Sequence, residues 1–236
     1  MEVNGAALSQ TSSAHHLDFM SLEHELSALK TKALSQISPE TAQVLQDAIN
    51  TLAKSGLSEQ AVRTGDQAPD FELPDASGQN VRLSNLLKTG PVVLVFYRGQ
   101  WCPYCNLTLR MYQASLLAIR ELGGQLVAVS SQKPDGSLSV QEMNSLTFPV
   151  LSDSENKAAT AFGLLFQLPE SLIQVFKARK IDLPSINGSG SWELPVPAIY
   201  VISKEGKVVA DHVDADHRNR LGPEKVILAL KALETS

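Results

Sequence analysis

The sequence predicts an α/β fold, a mixed central β-sheet flanked by helices with a helical extension ahead of it, on two observations. Residues 92–97 and 125–130 are nearly continuous apolar runs of strand length, and between them Leu107, Met111, Leu116 and Ile119 recur at helical spacing. Strand, helix, strand with both strands apolar throughout is the pattern of a βαβ unit, whose strands pair in parallel and are covered on both faces. Residues 198–203 and 208–210 form two further apolar runs around the turn Lys204-Glu-Gly206, the pattern of a β-hairpin.

The remaining elements follow in chain order. Residues 1–18 carry Ser, Thr and the pair His15-His16 with little apolar periodicity, and are expected to be a disordered leader. Residues 19–62 read as a helical hairpin. Leu22, Leu26 and Leu29 share one helical face, and Ser38-Pro39-Glu40 starts a second helix through an N-cap hydroxyl and a proline at the first helical position. Leu45, Ile49 and Leu52 continue that helix, and Gly56 stops it. Its apolar stripe needs a cover, either the following domain or a second copy in a homodimer. Turn formers across residues 63–70 mark the start of one domain over 63–236. There, residues 71–78 and Val81-Arg-Leu83 read as a short strand pair, Ser84 as the cap of a short helix, and 103–121 as a helix ended by Gly123-Gly124. A turn at 133–136, short helices before 146 and over 153–162, a strand at 148–151, a helix over 168–180 and a loop at 183–191 come next. Pro223 opens the last helix, with Val226, Ile227, Leu230 and Leu233 inward.

Composition bounds the function. With 43% hydrophobic residues, 19% charged residues and a net charge of -5, the chain has no general electrostatic reason to bind nucleic acid or an anionic membrane. No apolar run approaches the roughly 20 residues that span a bilayer, and the N-terminus shows no secretory signal. Two cysteines in 236 residues do not make a secreted disulfide scaffold, so a cytoplasmic location is expected.

Both cysteines fall in Arg98-Gly-Gln-Trp-Cys102-Pro-Tyr-Cys105, between the strand at 92–97 and the following helix. At the first helical turn the Cys102 sulfur faces unpaired N–H groups and the positive helix end, which favour the thiolate. Arg98 is near enough in sequence to add a cation, and Pro103 gives up an N–H that would be orphaned anyway. Cys105, a turn further in, is expected to be more buried and less reactive. Cys102 then attacks, Cys105 resolves, and an external dithiol reduces the internal disulfide. The alternatives are a zinc half-site, which lacks further Cys or suitably spaced His ligands, an inert disulfide, whose tiny loop gains little chain entropy, and two unrelated core thiols. No metal and no cofactor are expected.

Phe96-Tyr-Arg-Gly-Gln-Trp-Cys102-Pro-Tyr-Cys105 resembles the active-site stretch of thioredoxin-fold proteins, and more specifically the peroxiredoxin-like branch of the alkyl hydroperoxide reductase and thiol-specific antioxidant family. Residues 65–74 resemble that family's entry strand, and Pro195-Val-Pro-Ala-Ile-Tyr-Val-Ile-Ser-Lys-Glu-Gly206 its late strand, turn and strand. The resemblance spans about 63–234 and implies a thioredoxin-like fold and thiol-dependent reduction of hydrogen peroxide and organic hydroperoxides. Cys102 would become a sulfenic acid and condense with Cys105, and thioredoxin or a glutaredoxin-type dithiol would recycle the disulfide. Pro197 would be a cis-proline lying against the dithiol and exposing the Val196 backbone to a partner. Two positions depart from the family: Gly99 stands where a Thr is usual, and Pro197 where an Arg is usual. Both changes remove groups that polarise the leaving oxygen.

Among the remaining features, Trp101 belongs to the motif, Trp192 reads as a loop anchor or a lip of the site, and residues 211–220 (three Asp, two His, two Arg) read as a solvated, salt-bridged turn. Two other functions use the same residues: a thiol-disulfide oxidoreductase acting on protein disulfides, and a non-enzymatic redox sensor with the helical hairpin as its interface.

Overall fold

The computed structural model describes residues 21–235. The leader assigned to residues 1–18 lies outside them. The two helices expected over residues 19–62 form as α1 (Leu22–Ser35) and α2 (Pro39–Lys54), which pack on different parts of the domain rather than closely on each other. Ser21 caps α1 by accepting the His24 N–H, and Ser38 caps α2 by accepting the Thr41 N–H at 3.2 Å, satisfying donors that a helix start leaves open. Gly56 turns the chain at φ +74°, a left-handed conformation that glycine adopts at no steric cost, into the short α3 (Leu57–Gln60).

The domain proper then runs β1 (Glu72–Pro74), β2 (Asn80–Arg82), α4 (Leu83–Leu87), β3 (Val92–Phe96), α5 (Pro103–Ala114), α6 (Leu116–Glu121) and β4 (Gln125–Ser130). It continues with α7 (Pro134–Met143), β5 (Val150–Ser152), α8 (Lys157–Ala161), β6 (Leu165–Gln167), α9 (Glu170–Ala178) and α10 (Leu183–Asn187). It closes with β7 (Glu193–Pro195), β8 (Ala198–Ile202), β9 (Val208–Val213) and α11 (Pro223–Glu234). The main sheet has the order β5-β4-β3-β8-β9, with β3, β4 and β5 parallel and β8 and β9 antiparallel. This is the mixed sheet that the βαβ pattern and the late hairpin predict.

Alternation along β3 builds two cores. Val93, Val95 and Tyr97 point to the face covered by α1, α5, α6, α7 and α11, while Val92, Leu94 and Phe96 point to the face covered by α3, α4 and α8. A third cluster joins α9 and α10 to Leu45 and Ala48 of α2. The hairpin therefore straddles the domain, α1 on α5 and α2 on α9.

Several local expectations change. Ser84 does not cap α4; the helix starts a residue earlier, and Asp70 Oδ1 accepts the Ser84 N–H at 2.9 Å from outside the helix. The single helix expected over 103–121 breaks at Ser115 into α5 and α6. The turn at 133–136 is the first turn of α7, with Pro134 in its first turn. The loop at 183–191 contains α10, closed by Gly188 at φ +77°.

Candidate active site

Loop 97–102 leaves β3 and brings Cys102 to the N-cap of α5, with Pro103 in the first turn of the helix. Gly99 sits at φ +143°, and a Cβ there would lie 2.6 Å from Trp101 Nε1 and 2.9 Å from Gln132 Oε1. The space a threonine side chain would take is thus filled by the Trp101 ring and by Gln132, whose Oε1 accepts the Gln100 N–H at 2.5 Å. Glycine here is imposed by the loop's own packing. Gly99→Thr is expected to cost about 1–3 kcal/mol, typical of overpacking a tight site, read as a lower thermal unfolding midpoint. An unchanged midpoint would show that Trp101 and Gln132 yield freely. Asn106 Nδ2 donates to the Gln100 carbonyl at 2.7 Å and ties the same loop to α5.

The two sulfurs are 2.9 Å apart and hydrogen-bonded to each other. Both are buried, at 2% exposure for Cys102 and 1% for Cys105, so the expected difference in burial is absent. The resting charge also moves. As N-cap, Cys102 accepts no helix N–H on its sulfur, and the Cys105 and Asn106 N–H groups donate to its backbone carbonyl instead. Burial, the bond to Cys105 and the nearness of that sulfur's charge push the Cys102 thiol well up. Burial also works against ionising Cys105, but the hydrogen bond from Cys102, the Arg220 guanidinium and the Arg98 N–H together lower it to about 5. The two thiols are thus coupled across the 2.9 Å contact, and the surrounding charges favour Cys105 as the more readily ionised of the two.

Arg98 is buried beside this charge. Its guanidinium lies 4.9 Å from the Trp101 ring centre and 5.8 Å from that of Phe176, a stacked arrangement that Arg tolerates with little hydration. Burial lowers its pKa, and both cysteines oppose that shift. The second cation was not legible in the motif. Arg220 Nη2 reaches 3.8 Å from Cys105 Sγ, from the loop between β9 and α11. The next residue anchors that loop: the Tyr112 hydroxyl of α5 donates to the Leu221 carbonyl at 3.0 Å.

The stretch at 211–220 is therefore more than a solvated turn. Asp211 pairs with Arg63 at 2.7 Å and Asp216 with Arg218 at 2.6 Å, as a salt-bridged turn would. Yet His217 and Arg218 also line the cavity that meets Cys102. The ring of His217 meets that of Tyr104 edge-on at 5.6 Å. Burial and the three nearby arginines hold His217 well below the usual imidazole range, as a neutral ring. The cavity has a volume of about 480 Å³; Arg98, Trp101, Cys102, Pro103 and Pro197 reach it, and Cys105 does not. Trp192 is outside it, its carbonyl accepting the Leu168 N–H at 2.9 Å and its ring lying 5.6 Å from the Lys177 ammonium. That is the anchoring role.

Pro197 needs a correction. Among the described residues no peptide bond is cis, so Val196–Pro197 is trans, the default for most X–Pro bonds. Nor is the Val196 backbone open to a partner. Val196 is fully buried, and its N–H donates to the Leu164 carbonyl at 2.8 Å, extending the β6–β7 pairing. Pro197 remains on the cavity wall.

A thioredoxin-like sheet carrying a buried, proton-sharing dithiol at the start of a helix defines a thiol oxidoreductase. Its family is the AhpC/TSA family, to which the chain belongs and whose pattern matches residues 64–211. Over 103 residues the chain is 34% identical to a putative peroxiredoxin of Mycobacterium tuberculosis strain CDC 1551, an alignment covering 44% of this chain and 67% of that one. Over 104 residues it is 30% identical to peroxiredoxin Bcp of Escherichia coli K12, covering 44% and 65% respectively. The solved structure of peroxidoxin BcpB from M. tuberculosis superposes with a TM-score of 0.58 at 26% identity, covering 73% of this chain and 98% of the other. No described helix is long and apolar enough to cross a membrane.

Proposed function

We propose that the protein is a thiol-dependent peroxidase in which Cys102 attacks the peroxide and Cys105 resolves it. The observation that carries this reading is the 2.9 Å sulfur pair with only Cys102 on the cavity wall and guanidiniums on both sides. As the Cys102 sulfur attacks the terminal peroxide oxygen, its proton passes to Cys105. The S–O bond forms, the O–O bond breaks, and the departing alkoxide takes up that proton and leaves as an alcohol. None of the side chains lining the cavity is a carboxylate, and the charged ones are all arginines (Arg98, Arg179 and Arg218), which favours charge developing on the leaving oxygen. Arg98, on the cavity wall, takes the place of the helpers missing at Gly99 and Pro197, while Arg220 acts on Cys105.

The Cys105 thiolate then attacks the Cys102 sulfenic sulfur and expels hydroxide, which takes a proton from solvent and leaves as water. From 2.9 Å the sulfurs need approach by less than an ångström to reach the roughly 2.05 Å of a disulfide, so no element must unfold. A thioredoxin- or glutaredoxin-type dithiol returns the two electrons, in a reducing compartment such as the cytoplasm. It attacks Cys102, the sulfur on the cavity wall, and at 2% exposure this requires the cavity mouth to open to a protein partner. The residues supporting Cys102 and Cys105 are Arg98, Trp101, Pro103 and Pro197, joined by Arg220.

Stopped-flow mixing of the reduced protein with hydrogen peroxide, followed by Trp101 fluorescence, tests this. The expected result is a second-order rate at least about a hundredfold above that of a free thiol, the scale of electrostatic stabilisation by one or two placed cations. The product should be an internal disulfide. A rate equal to that of free cysteine, with insulin reduction in its place, would overturn the reading.

A further inference from the structure

The hairpin lies before residue 64, outside the stretch matched by the family, yet it supplies a wall of the active-site cavity. α1 packs on α5 and α2 on α9, so the two helices bracket the mouth above Cys102. From α2, Leu45, Ala48, Ile49 and Leu52 face the cavity, opposite Trp101 and Phe176. The volume of about 480 Å³ is that of a small-molecule site, commonly about 300–1,000 Å³. Hydrogen peroxide is scarcely larger than a water molecule, whose share of the liquid is about 30 Å³, and would leave most of the wall untouched.

We infer that the hairpin sets substrate specificity: the apolar cavity closed by α2 takes the organic group of a bulky apolar hydroperoxide and presents its O–O bond to Cys102. This rests on the peroxidase reading, which already admits organic hydroperoxides, and adds to it the element, outside the family's matched stretch, that selects the bulky ones. The apolar wall belongs to the remote part of the substrate, where contacts orient the reacting atoms rather than join the chemistry. The hydroperoxide group falls at the other end, where Cys102, Arg98 and His217 meet the cavity.

The test compares second-order rates of Cys102 oxidation by cumene hydroperoxide and by hydrogen peroxide, in the full chain and in Ala48→Phe. Ala48 is half-buried on α2 and faces the cavity. A larger side chain there fills the space for the organic group, and hydrogen peroxide serves as the internal reference in each protein. The cumene-to-hydrogen peroxide ratio is expected to be at least about tenfold in favour of cumene hydroperoxide and to fall about fivefold or more in Ala48→Phe, the scale of discrimination by shape in an apolar pocket. A ratio that stays closer than fivefold to that of the unaltered protein overturns the proposal. Far-UV circular dichroism checks the hairpin; if Ala48→Phe is unfolded, Ala48→Met is read by the same criterion. If neither peroxide oxidises Cys102 faster than free cysteine, the peroxidase reading itself fails and takes this proposal with it, a result distinct from an unaltered ratio.

Discussion

Cys102→Ser is expected to lower peroxide consumption by on the order of a thousandfold or more, because it removes the nucleophile itself. The Cys105 thiolate that remains cannot replace it. It is 1% exposed and off the cavity wall, and a peroxide would have to pass the residue at 102 to reach it. Cys105→Ser has a different signature. The hydrogen bond to Cys105 and its charge both push the Cys102 thiol up, so their loss brings Cys102 closer to ionising beside Arg98. One oxidation per molecule should persist and stop at a sulfenic acid that dimedone traps, while steady turnover with a dithiol falls to background. The two variants are told apart by mass spectrometry after one equivalent of peroxide. A dimedone adduct on Cys105 in Cys102→Ser, with turnover retained, would reverse the assignment.

Much of this site could be read along the chain because its frame is local. The apolar run at 92–97 becomes β3, Pro103 falls in the first turn of α5, and Cys102 and Cys105 come together because one turn of helix separates them. What sequence could not show depends on distance along the chain. Arg220 meets Cys105 across 115 residues of separation, through a loop held by Tyr112. Against burial, the hydrogen bond with Cys102, that remote cation and the Arg98 N–H favour ionisation at Cys105, where the local helix-end argument pointed to Cys102. Gln132 was missed for the same reason: a glutamine just after β4 carries no signal until it proves to hold the Gln100 N–H. The composition of residues 183–191 argues for a loop, yet burial of Leu183, with Pro184 in the first turn and Gly188 as C-cap, gives a five-residue helix there. The hairpin's apolar stripe was legible, but that it leaves a cavity over the thiols depends on how α1 and α2 seat on α5 and α9.

The pH dependence offers the second large effect. With Cys105 lowered to about 5, the reactive form is the singly protonated pair. It persists above that value and is lost as pH falls through it, when Cys105 also takes a proton and can no longer accept the one on Cys102. The rate of Cys102 oxidation should therefore be nearly flat from pH 6.5 to 8 and fall about tenfold per unit well below pH 5. Arg220→Leu removes a cation 3.8 Å from Cys105 Sγ and moves the midpoint upward. The variant should lose about tenfold or more near pH 5.5 and progressively less toward pH 8, where the pair ionises without the cation's help. Arg220→Lys keeps the charge without the planar fork and should restore part of the acid limb. A uniform loss at every pH would mean that Arg220 acts on the peroxide or on folding and not on the pair's proton; an unshifted midpoint would show that the Arg98 N–H and Cys102 hold the thiolate unaided.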